Sequence, residues 1–460
     1  MRGSNDIWHR PYVPIGCIER YGIPHICRIA PNKNSFEFEW ISHCDGSHTL
    51  YYGVRGKEEK TAQIINTRLV KVDDLTEDTD YEFFIRDEDG NSSLLRYVRT
   101  GAVIDGMSVI NYLHPDDTYY DFSGRYICTP SIVKIKGRLI ASIDVYGPKT
   151  PQNLMLLFKS DDDGKTWEYL CDLFPFYWAT LFEHKGILYV LGASTEYGNI
   201  QISCSNDRGE TWSPVTVIFY GSVPQCKYGG NHRAPMHLTS YNGRLYTSVE
   251  FGGYKQNLPM VMSIDENDDL MVASNWVRSA PIPFDGRWKE DCNGQEGDCI
   301  EGNLTIGSDG NLYNIVRWKI GEWVKFKVNT KDLDAPLEYV SIDKAPVTTS
   351  MFRLVPYKKG HLLITNRKTE STKYIHHSYR NVLSLYYTED LKNFTFINDI
   401  VNLEDIDPER VGYQYPAPLL EGDEMKLLIR SAFNNPSSFH NSNYLIYCKI
   451  DVTTGEIKKD

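Results

Sequence analysis

A two-strand unit that recurs six times after residue 120 limits this chain more than any other feature. In each unit an apolar strand meets a glycine-containing turn, and a second apolar strand follows immediately. The turns are Lys136-Gly137, Lys185-Gly186, Asn242-Gly243, Asp309-Gly310, Lys359-Gly360 and Gly422-Asp423. Pairs such as Asn-Gly between alternating apolar residues are typical of tight β-hairpins. We therefore predict consecutive antiparallel hairpins and an all-β fold for this part of the chain.

The intervals between these hairpins are unequal, and each leaves room for further strands. Solenoid repeats keep a fixed short period, whereas the blades of a propeller differ in loop length. One four-stranded sheet per hairpin gives a six-bladed β-propeller over residues 103–460. A chain of 460 residues also has room for a second domain.

Two of the hairpins are followed by the same pattern, S-x-D-x-G-x-T-W. It occurs in residues 160–167 and again in residues 205–212. The pattern resembles the Asp box of the sialidase-like propellers, and this resemblance implies a superfamily rich in glycoside hydrolases. Asp and Ser side chains close turns by accepting hydrogen bonds from backbone amides. We therefore expect Asp162 and Asp207 to be structural rather than catalytic.

Residues 1–102 differ from the rest of the chain, because they consist of short alternating strands without the repeated unit. The run Phe36-Glu37-Phe38-Glu39-Trp40 alternates, as a half-buried strand does. The stretch from Leu75 to Tyr81 and the ending Val98-Arg99-Thr100-Gly101 resemble a fibronectin type III domain. That resemblance implies an N-terminal β-sandwich that acts as a spacer or support, without chemistry of its own.

The last blade lacks a fourth strand, because the chain ends at Asp460 shortly after the third strand of that blade. An unpaired outer strand would expose hydrogen-bonding groups and invite aggregation. The segment 107–112, between the sandwich and the first hairpin, has no partner in the first blade. We predict that it pairs with the third strand of the last blade and closes the ring.

Charge and hydropathy exclude several classes of partner. The net charge is −12, whereas a nucleic-acid partner requires a basic surface. No apolar run is long enough to cross a membrane, and the polar start Met1–Arg10 does not resemble a signal peptide. We expect a cytoplasmic protein with no nucleic-acid or membrane partner, although a mature secreted form would begin in the same way.

The cysteines and histidines show no metal or disulfide pattern. The ten cysteines are scattered, and only Cys292 and Cys299 are close enough in sequence to suggest a pair. We expect mostly buried thiols in a reducing compartment. His376-His377 lies in a polar loop, and we expect both side chains to be exposed to solvent rather than bound to a metal. No cofactor and no metal are implied.

The hairpin geometry indicates where a binding site would lie. The first strand of each hairpin begins at the end of the sheet where the second strand finishes, because the two are antiparallel. Residues at these positions in all blades should converge on one central opening. The first strands place there Arg125, Trp178, His232, Arg233, Glu301, Asn303, Tyr413 and Tyr415, and the second strands place there Asp144, Glu196, Glu250, Arg317, Arg367 and Arg430. Arginines at the ends of three successive second strands favour a carboxylate pocket, since a guanidinium binds that group bidentately.

The sialidase resemblance assigns roles to some of these residues. Glu301 and Arg317 look like the glutamate and second arginine of sialidases, and Tyr413 looks like their tyrosine nucleophile. The first-blade arginine of that family is missing, because Cys128-Thr129-Pro130 occupies its place. Arg125 is a shifted substitute for it. The loop that carries the sialidase acid is short, which leaves Asp144 as a weak candidate.

Three functions remain open at this point. We favour a glycoside hydrolase, not a true sialidase, that removes a terminal acidic sugar from an oligosaccharide or glycan. Its catalytic set would be Tyr413, Glu301, Asp144 and His232, and its substrate-binding set Arg125, Trp178, Arg233, Asn303, Arg317, Arg367, Arg430, Tyr415 and His440. The first alternative is a lyase that cleaves rhamnose–uronate linkages with His232, His440 and Tyr413. The second is a non-catalytic glycan-binding propeller, in which Trp178 and the tyrosines stack on sugar rings.

Overall fold

The computed structural model describes residues 23–42, 44, 46–222, 230–253, 256–282, 299–371 and 379–459. This part of the chain is all β, and its only helical element is the 3-10 turn Ala273–Asn275. No helix in the described residues has the length and hydropathy needed to cross a membrane. The prediction of an all-β fold is confirmed.

The first strands form two small antiparallel sheets. They are β1 (His25–Pro31), β2 (Phe36–Ile41), β3 (His48–Val54), β4 (Thr61–Ile65), β5 (Leu69–Val72), β6 (Asp80–Arg86) and β7 (Arg96–Arg99). One sheet has the order β1-β2-β5 and the other β4-β3-β6-β7. Phe36 and Phe38 of the first sheet pack on Phe83 of the second, with ring centroids 4.9 and 5.1 Å apart. The alternation of β2 and β6 therefore places one face of each strand in a shared core.

Six larger antiparallel sheets follow, and we number them sheet 1 to sheet 6 in chain order. Sheet 1 contains β9 (Tyr126–Ile135), β10 (Arg138–Tyr146), β11 (Leu154–Ser160) and β12 (Glu168–Leu173), and sheet 2 contains β13 (Tyr177–His184), β14 (Ile187–Ala193), β15 (Ile200–Ser205) and β16 (Thr216–Phe219). Sheet 3 contains β17 (Gly230–His232), β18 (Thr239–Tyr241), β19 (Arg244–Gly253), β20 (Gln256–Asp265) and β21 (Val277–Arg278), and sheet 4 contains β22 (Ile300–Ile306), β23 (Leu312–Arg317), β24 (Glu322–Lys327) and β25 (Glu338–Lys344). Sheet 5 contains β26 (Arg353–Tyr357), β27 (Gly360–Asn366), β28 (Val382–Thr388) and β29 (Thr395–Asn402), and sheet 6 contains β30 (Gly412–Glu421), β31 (Glu424–Ala432), β32 (Tyr444–Asp451) and β33 (Glu456–Ile457).

Each predicted hairpin joins two neighbouring strands of one of these sheets. In three turns both central residues have positive φ, as a type I′ turn requires: Lys136-Gly137, Lys185-Gly186 and Asn242-Gly243. Glycine in the second position accepts this conformation without a steric cost. The hairpin predictions are confirmed.

The two S-x-D-x-G-x-T-W segments form identical turns after β11 and β15. In the first, the Asp162 carboxylate accepts the Thr166 amide at 2.9 Å and the Thr166 hydroxyl at 2.6 Å. In the second, Asp207 accepts the same groups of Thr211 at 2.9 and 2.5 Å. Because each carboxylate is used within its own turn, the structural role predicted for both aspartates is confirmed.

The predicted extra strand lies at the edge of sheet 6. Strand β8 (Ser108–Tyr112) pairs antiparallel with β32, with Tyr112 opposite Tyr444 and Ser108 opposite Tyr447. The short β33 continues along the same edge of β32, opposite Ile450 and Asp451. The pairing of residues 107–112 with sheet 6 is therefore confirmed, and the C-terminal tail covers the remaining end of that edge.

Sheet 1 has neighbours on both sides. Its first strand, β9, contacts β13 of sheet 2, and it also contacts β30 and β31 of sheet 6. The first and last of the six sheets are thus adjacent in space. This adjacency is what allows residues from sheets 1, 2 and 6 to line one cavity.

Candidate active site

The first strands of sheets 2, 4 and 6 each contain a β-bulge near the end opposite the hairpin turn. The strand pairing shifts between Tyr177 and Thr180, between Ile300 and Asn303, and between Gln414 and Ala417. Within these bulges Trp178, Glu301 and Tyr415 have left-handed backbones, with φ of 47°, 62° and 53°. A non-glycine residue in this region is strained, by about 1–3 kcal/mol, and such residues concentrate at functional sites.

Two of these strained residues meet directly. The Tyr415 hydroxyl donates to Oε1 of Glu301 at 2.9 Å, and Oε2 of Glu301 pairs with Nη1 of Arg317 at 2.9 Å. All three side chains are buried. Burial raises the pKa of Tyr415, and the Glu301 carboxylate raises it further. The phenol is therefore protonated near neutral pH and has a carboxylate in place to accept its proton.

Two further arginines face the Tyr415 ring. The guanidinium carbon of Arg430 lies 4.9 Å from the ring centroid and that of Arg380 lies 5.4 Å from it. Arg430 donates to the hydroxyls of Ser442 and Tyr146, and Arg380 donates to the Thr349 carbonyl and to Gln414. Neither guanidinium pairs with a carboxylate of the described residues, and burial lowers the pKa of Arg380 to about 10. Both cations face the ring of Tyr415, and Arg430 also lines the cavity beside it.

A cavity of about 620 Å³ opens beside Tyr415 and Arg430. It is lined by residues of sheets 1, 2 and 6 and their connecting loops: Cys128, Tyr146, Pro148, Lys149, Gln152, Tyr177, Trp178, Glu196, Tyr415, Arg430 and His440. Its volume suits one or two sugar rings. Trp178 is partly exposed and stacks on Tyr177, with centroids 4.9 Å apart, so that one wall presents a rigid aromatic surface.

The lining also contains a tyrosine–histidine pair. The Tyr146 hydroxyl lies 2.8 Å from Nδ1 of His440, and it also receives a hydrogen bond from Arg430 at 3.2 Å. Burial, followed by the charge of Arg430, lowers the pKa of His440 to about 2. His440 is therefore a neutral imidazole in this cavity.

A second histidine supports the aromatic wall from behind. Nδ1 of His232 lies 2.8 Å from Oε2 of Glu250, and the His232 ring meets Trp178 edge-on at 4.1 Å. Asp144 accepts the backbone N–H of Trp178 at 2.8 Å and the hydroxyl of Thr129 at 2.6 Å. Burial raises the pKa of Asp144 to about 8. Because Asp144 and His232 hold the strained Trp178 and do not line the cavity, the structure places both as supports.

Tyr413, the predicted nucleophile, does not lie beside Glu301. Tyr413 does not reach Glu301, because its ring is stacked 5.6 Å from Phe433 within the core of sheet 6. The tyrosine at Glu301 is Tyr415, two residues later. The sequence placed both tyrosines at the opening, because alternation puts them on the same face of the strand. The bulge between Gln414 and Ala417 breaks that alternation, and of the two tyrosines it is Tyr415 that reaches Glu301.

Four other predicted residues lie away from the cavity. Arg125 is partly exposed and forms a bidentate pair with Asp121, at 2.7 Å for both contacts. Arg367 pairs in the same way with Asp399 of β29, at 2.9 and 2.7 Å. Each of these guanidiniums is already paired with a carboxylate, and neither residue lines the cavity. The prediction that Arg125 and Arg367 bind substrate is therefore wrong.

Arg233 and Asn303 are completely buried and hold the sheets together. Arg233 donates to the Thr180 hydroxyl and the Leu191 carbonyl of sheet 2, at 3.0 and 3.1 Å. Asn303 accepts the Leu354 amide of sheet 5 at 3.1 Å. Because neither residue lines the cavity and both are bound to neighbouring sheets, the structure places them as supports and not as substrate-binding residues.

Sequence reasoning missed Arg380 and Tyr146. Arg380 precedes the third strand of sheet 5, whereas the hairpin geometry places only residues of first and second strands at the opening. Tyr146 is the last residue of β10, two positions after Asp144. Its strand end was predicted to face the opening, but an uncharged tyrosine there did not suggest a binding residue. Cys292, His376 and His377 lie outside the described residues. Free thiols are found at Cys27, Cys44, Cys128, Cys171, Cys204 and Cys448. Within the described part of the chain no group of three or more His, Cys, Asp or Glu side chains is placed to hold a metal ion.

Comparison with known proteins gives structural similarities only. No protein-family model and no curated protein sequence matches this chain. An α-L-arabinanase from Penicillium chrysogenum is similar over 75% of this chain and 97% of its own, with 14% identity and a TM-score of 0.48. An α-L-arabinofuranosidase from Fusarium graminearum is similar over 75% and 98%, with 13% identity and a TM-score of 0.49. The sialidase of Trypanosoma rangeli is similar over 79% of this chain and 56% of its own, with 14% identity and a TM-score of 0.46. Similarities of this size assign neither a family nor an activity.

Proposed function

We propose that this protein is a glycoside hydrolase that removes a terminal anionic sugar, with Tyr415 as the nucleophile. The observation that carries the proposal is the chain of contacts from the Tyr415 hydroxyl through Glu301 to Arg317, at the edge of the cavity. A phenol is a weak nucleophile until a neighbouring base accepts its proton. Glu301 is in position to do so, and Arg317 keeps that carboxylate in place.

The charge of the site supports an anionic sugar. Arg317 is neutralised by Glu301, whereas Arg380 and Arg430 have no carboxylate partner among the described residues. Burying a guanidinium without a counter-charge is costly, and an anionic ligand beside Arg380 and Arg430 would offset part of that cost. A tyrosine also suits an anionic substrate better than a carboxylate nucleophile, because it is uncharged before attack.

We infer the architecture around the site from the strand pairing. Six consecutive sheets, with sheet 1 in contact with sheets 2 and 6, support a closed six-bladed propeller over residues 103–460. The sheet orders β1-β2-β5 and β4-β3-β6-β7, and the 3.0 Å hydrogen bond from the Thr76 amide to the Tyr81 hydroxyl, support a fibronectin type III-like sandwich before it. Placement in a reducing, cytoplasmic compartment stays a prediction.

The test is hydrolysis of 4-nitrophenyl glycosides by the full chain. The panel contains glucuronic, galacturonic and N-acetylneuraminic acids, with galactose and L-arabinofuranose as neutral members. We expect release of nitrophenol from an anionic member, with retention of anomeric configuration by NMR, because attack by Tyr415 and then by water inverts the carbon twice. Inversion would contradict the nucleophile, and hydrolysis of neutral members alone would contradict the anionic sugar.

One observation favours the lyase alternative. Tyr146 and His440 form a pair that lines the cavity beside Arg430, and a lyase uses such groups to move a proton next to a neutralised uronate. A lyase product contains a new double bond that absorbs ultraviolet light, whereas a hydrolase product does not. Incubation with a rhamnose–uronate polysaccharide separates the two reactions, and binding without any product would identify a glycan-binding protein.

A further inference from the structure

The reaction proposed above needs a second group that the Tyr415–Glu301–Arg317 chain does not supply. Departure of the leaving group requires protonation of the glycosidic oxygen. Hydrolysis of the glycosyl-tyrosine requires a base that takes a proton from the attacking water. Asp144, the predicted acid, does not line the cavity, because its carboxylate is bound to Trp178 and Thr129. His440 cannot donate a proton near neutral pH, because it is a neutral imidazole whose Nδ1 is bound by Tyr146.

Among the described residues that line the cavity, Glu196 alone carries a carboxyl group. This residue lies in the loop between β14 and β15, and its side chain is partly exposed. Within the described residues its carboxyl forms no hydrogen bond or ion pair, whereas the carboxylates of Glu250 and Glu301 are both bound by neighbours. Glu196 is therefore free to contact a ligand.

The loop that carries Glu196 is held in one conformation by its own hydrogen bonds. The Ser194 amide donates to the Asn199 carbonyl at 2.8 Å, and the Gly198 amide donates to the Thr195 carbonyl at 2.9 Å. The Thr195 hydroxyl donates to the Pro151 carbonyl at 2.5 Å, which fixes the loop to the segment that follows β10. These contacts brace the backbone on both sides of Glu196.

Glu196 and Tyr415 enter the cavity from different sides of sheet 1. Glu196 belongs to sheet 2, and Tyr415 and Arg430 belong to sheet 6, and β9 of sheet 1 contacts both of these sheets. A sugar ring in the cavity would thus have the phenol on one side and the carboxyl on the other. A retaining glycosidase needs this arrangement, because the nucleophile attacks one face of the anomeric carbon while the proton arrives at the leaving oxygen.

We propose that Glu196 is the general acid and base of this site, an inference that rests on the proposed hydrolase function. In the first step Glu301 takes the phenolic proton, the Tyr415 oxygen bonds to the anomeric carbon, and the bond to the leaving oxygen breaks as Glu196 protonates that oxygen. In the second step the Glu196 carboxylate takes a proton from water, whose oxygen bonds to the same carbon. The bond to Tyr415 then breaks, and Glu301 returns the proton to the phenolate. The sum is addition of one water across the glycosidic bond.

The electrostatics of the loop agree with this role. Burial raises the pKa of Glu196 more than the charge of His232 lowers it, and the net rise keeps a larger fraction of the carboxyl protonated as the pH approaches neutrality. Since the acid must be protonated for the first step, wild-type kcat/KM should fall as the pH rises through the pKa of Glu196. Removal of the carboxyl should abolish that alkaline fall.

The test uses Glu196→Gln and Glu196→Ala in the full chain, with a sugar that the wild type hydrolyses. Against the methyl glycoside, whose leaving group needs a proton, we expect a loss in kcat/KM of about 10²–10⁴-fold. Against the 2,4-dinitrophenyl glycoside, which leaves without protonation, the loss should stay within about tenfold. Sodium azide should raise the turnover of Glu196→Ala and give the glycosyl azide, because azide replaces water without a base.

Glu183→Gln is the matched control, since Glu183 is on sheet 2 but at its turn end, where it accepts the Gly186 amide. It should behave as the wild type. Equal losses for both leaving groups, or no response to azide, would overturn the role of Glu196 while leaving the hydrolase intact. A wild type that hydrolyses none of the glycosides would instead contradict the proposed function itself.

Discussion

The two ends of the six sheets are built in different ways. At the turn end, the hairpin turns and the segments around Asp162 and Asp207 bond to residues a few positions away in sequence. At the cavity end, the contacts that bring different sheets together join residues far apart in the chain, such as Tyr415 with Glu301 and Tyr146 with His440. The turn end therefore forms from local sequence, whereas the cavity end exists only once the sheets are arranged around it.

The difference also appears in the backbone. At the turn end, positive φ occurs in tight turns that require it, and glycine takes the second position. At the cavity end it occurs at Trp178, Glu301 and Tyr415, which have no such freedom. Strain at the cavity end must be maintained by the surrounding structure, and in return it directs side chains into the site. We expect substitutions at the cavity end to lower activity and substitutions at the turn end to lower the free energy of unfolding.

Substitution of the phenol should have the largest effect. Tyr415→Phe removes the group that bonds to Glu301, so we expect kcat to fall by at least about 10³-fold, with little change in melting temperature. Tyr413→Phe is the matched control, because that ring packs on Phe433 in the core, and it should retain wild-type turnover. The reverse result, with Tyr413→Phe inactive and Tyr415→Phe active, would restore the assignment made from sequence.

Substitution of an unpaired arginine should have an intermediate effect. Arg380→Gln and Arg430→Gln should each raise KM for an anionic glycoside by about ten- to a hundredfold, because each removes a charged hydrogen-bond donor. For a neutral glycoside the change should be smaller. Arg367→Gln is the control, since its guanidinium is bound to Asp399, and it should leave KM unchanged. An equal effect of all three substitutions, measured by steady-state kinetics, would contradict the proposed anion site.

Substitution at the turn end should have the smallest effect on activity. Asp207→Ala leaves the Thr211 amide without its acceptor, so we expect the free energy of unfolding to fall by about 1–2 kcal/mol. Chemical denaturation measures this loss, and kcat below the melting temperature should equal that of the wild type. A fall in kcat in the folded variant would show that the two ends are coupled.

Sequence reasoning predicted the parts of the fold that depend on local pattern. The hairpins, the aspartate turns and the pairing of residues 107–112 with sheet 6 follow from turn chemistry, alternation and the need to cover an open edge. It also brought Glu301, Arg317, Arg430, Trp178 and Tyr415 to the centre. It misplaced Tyr413 because a bulge shifts the pairing of β30, and no alternation pattern reveals a bulge.

The sequence by itself determined which residue types are present, where each strand turns, and which strand ends face the centre. Only the tertiary structure decided which charges are left without partners. Arg125 and Arg367 are as cationic as Arg380 and Arg430, but Asp121 and Asp399 neutralise the first two in the folded chain. A guanidinium becomes a binding group only where folding buries it away from carboxylates, because a charge already paired in the protein has little to gain from a ligand.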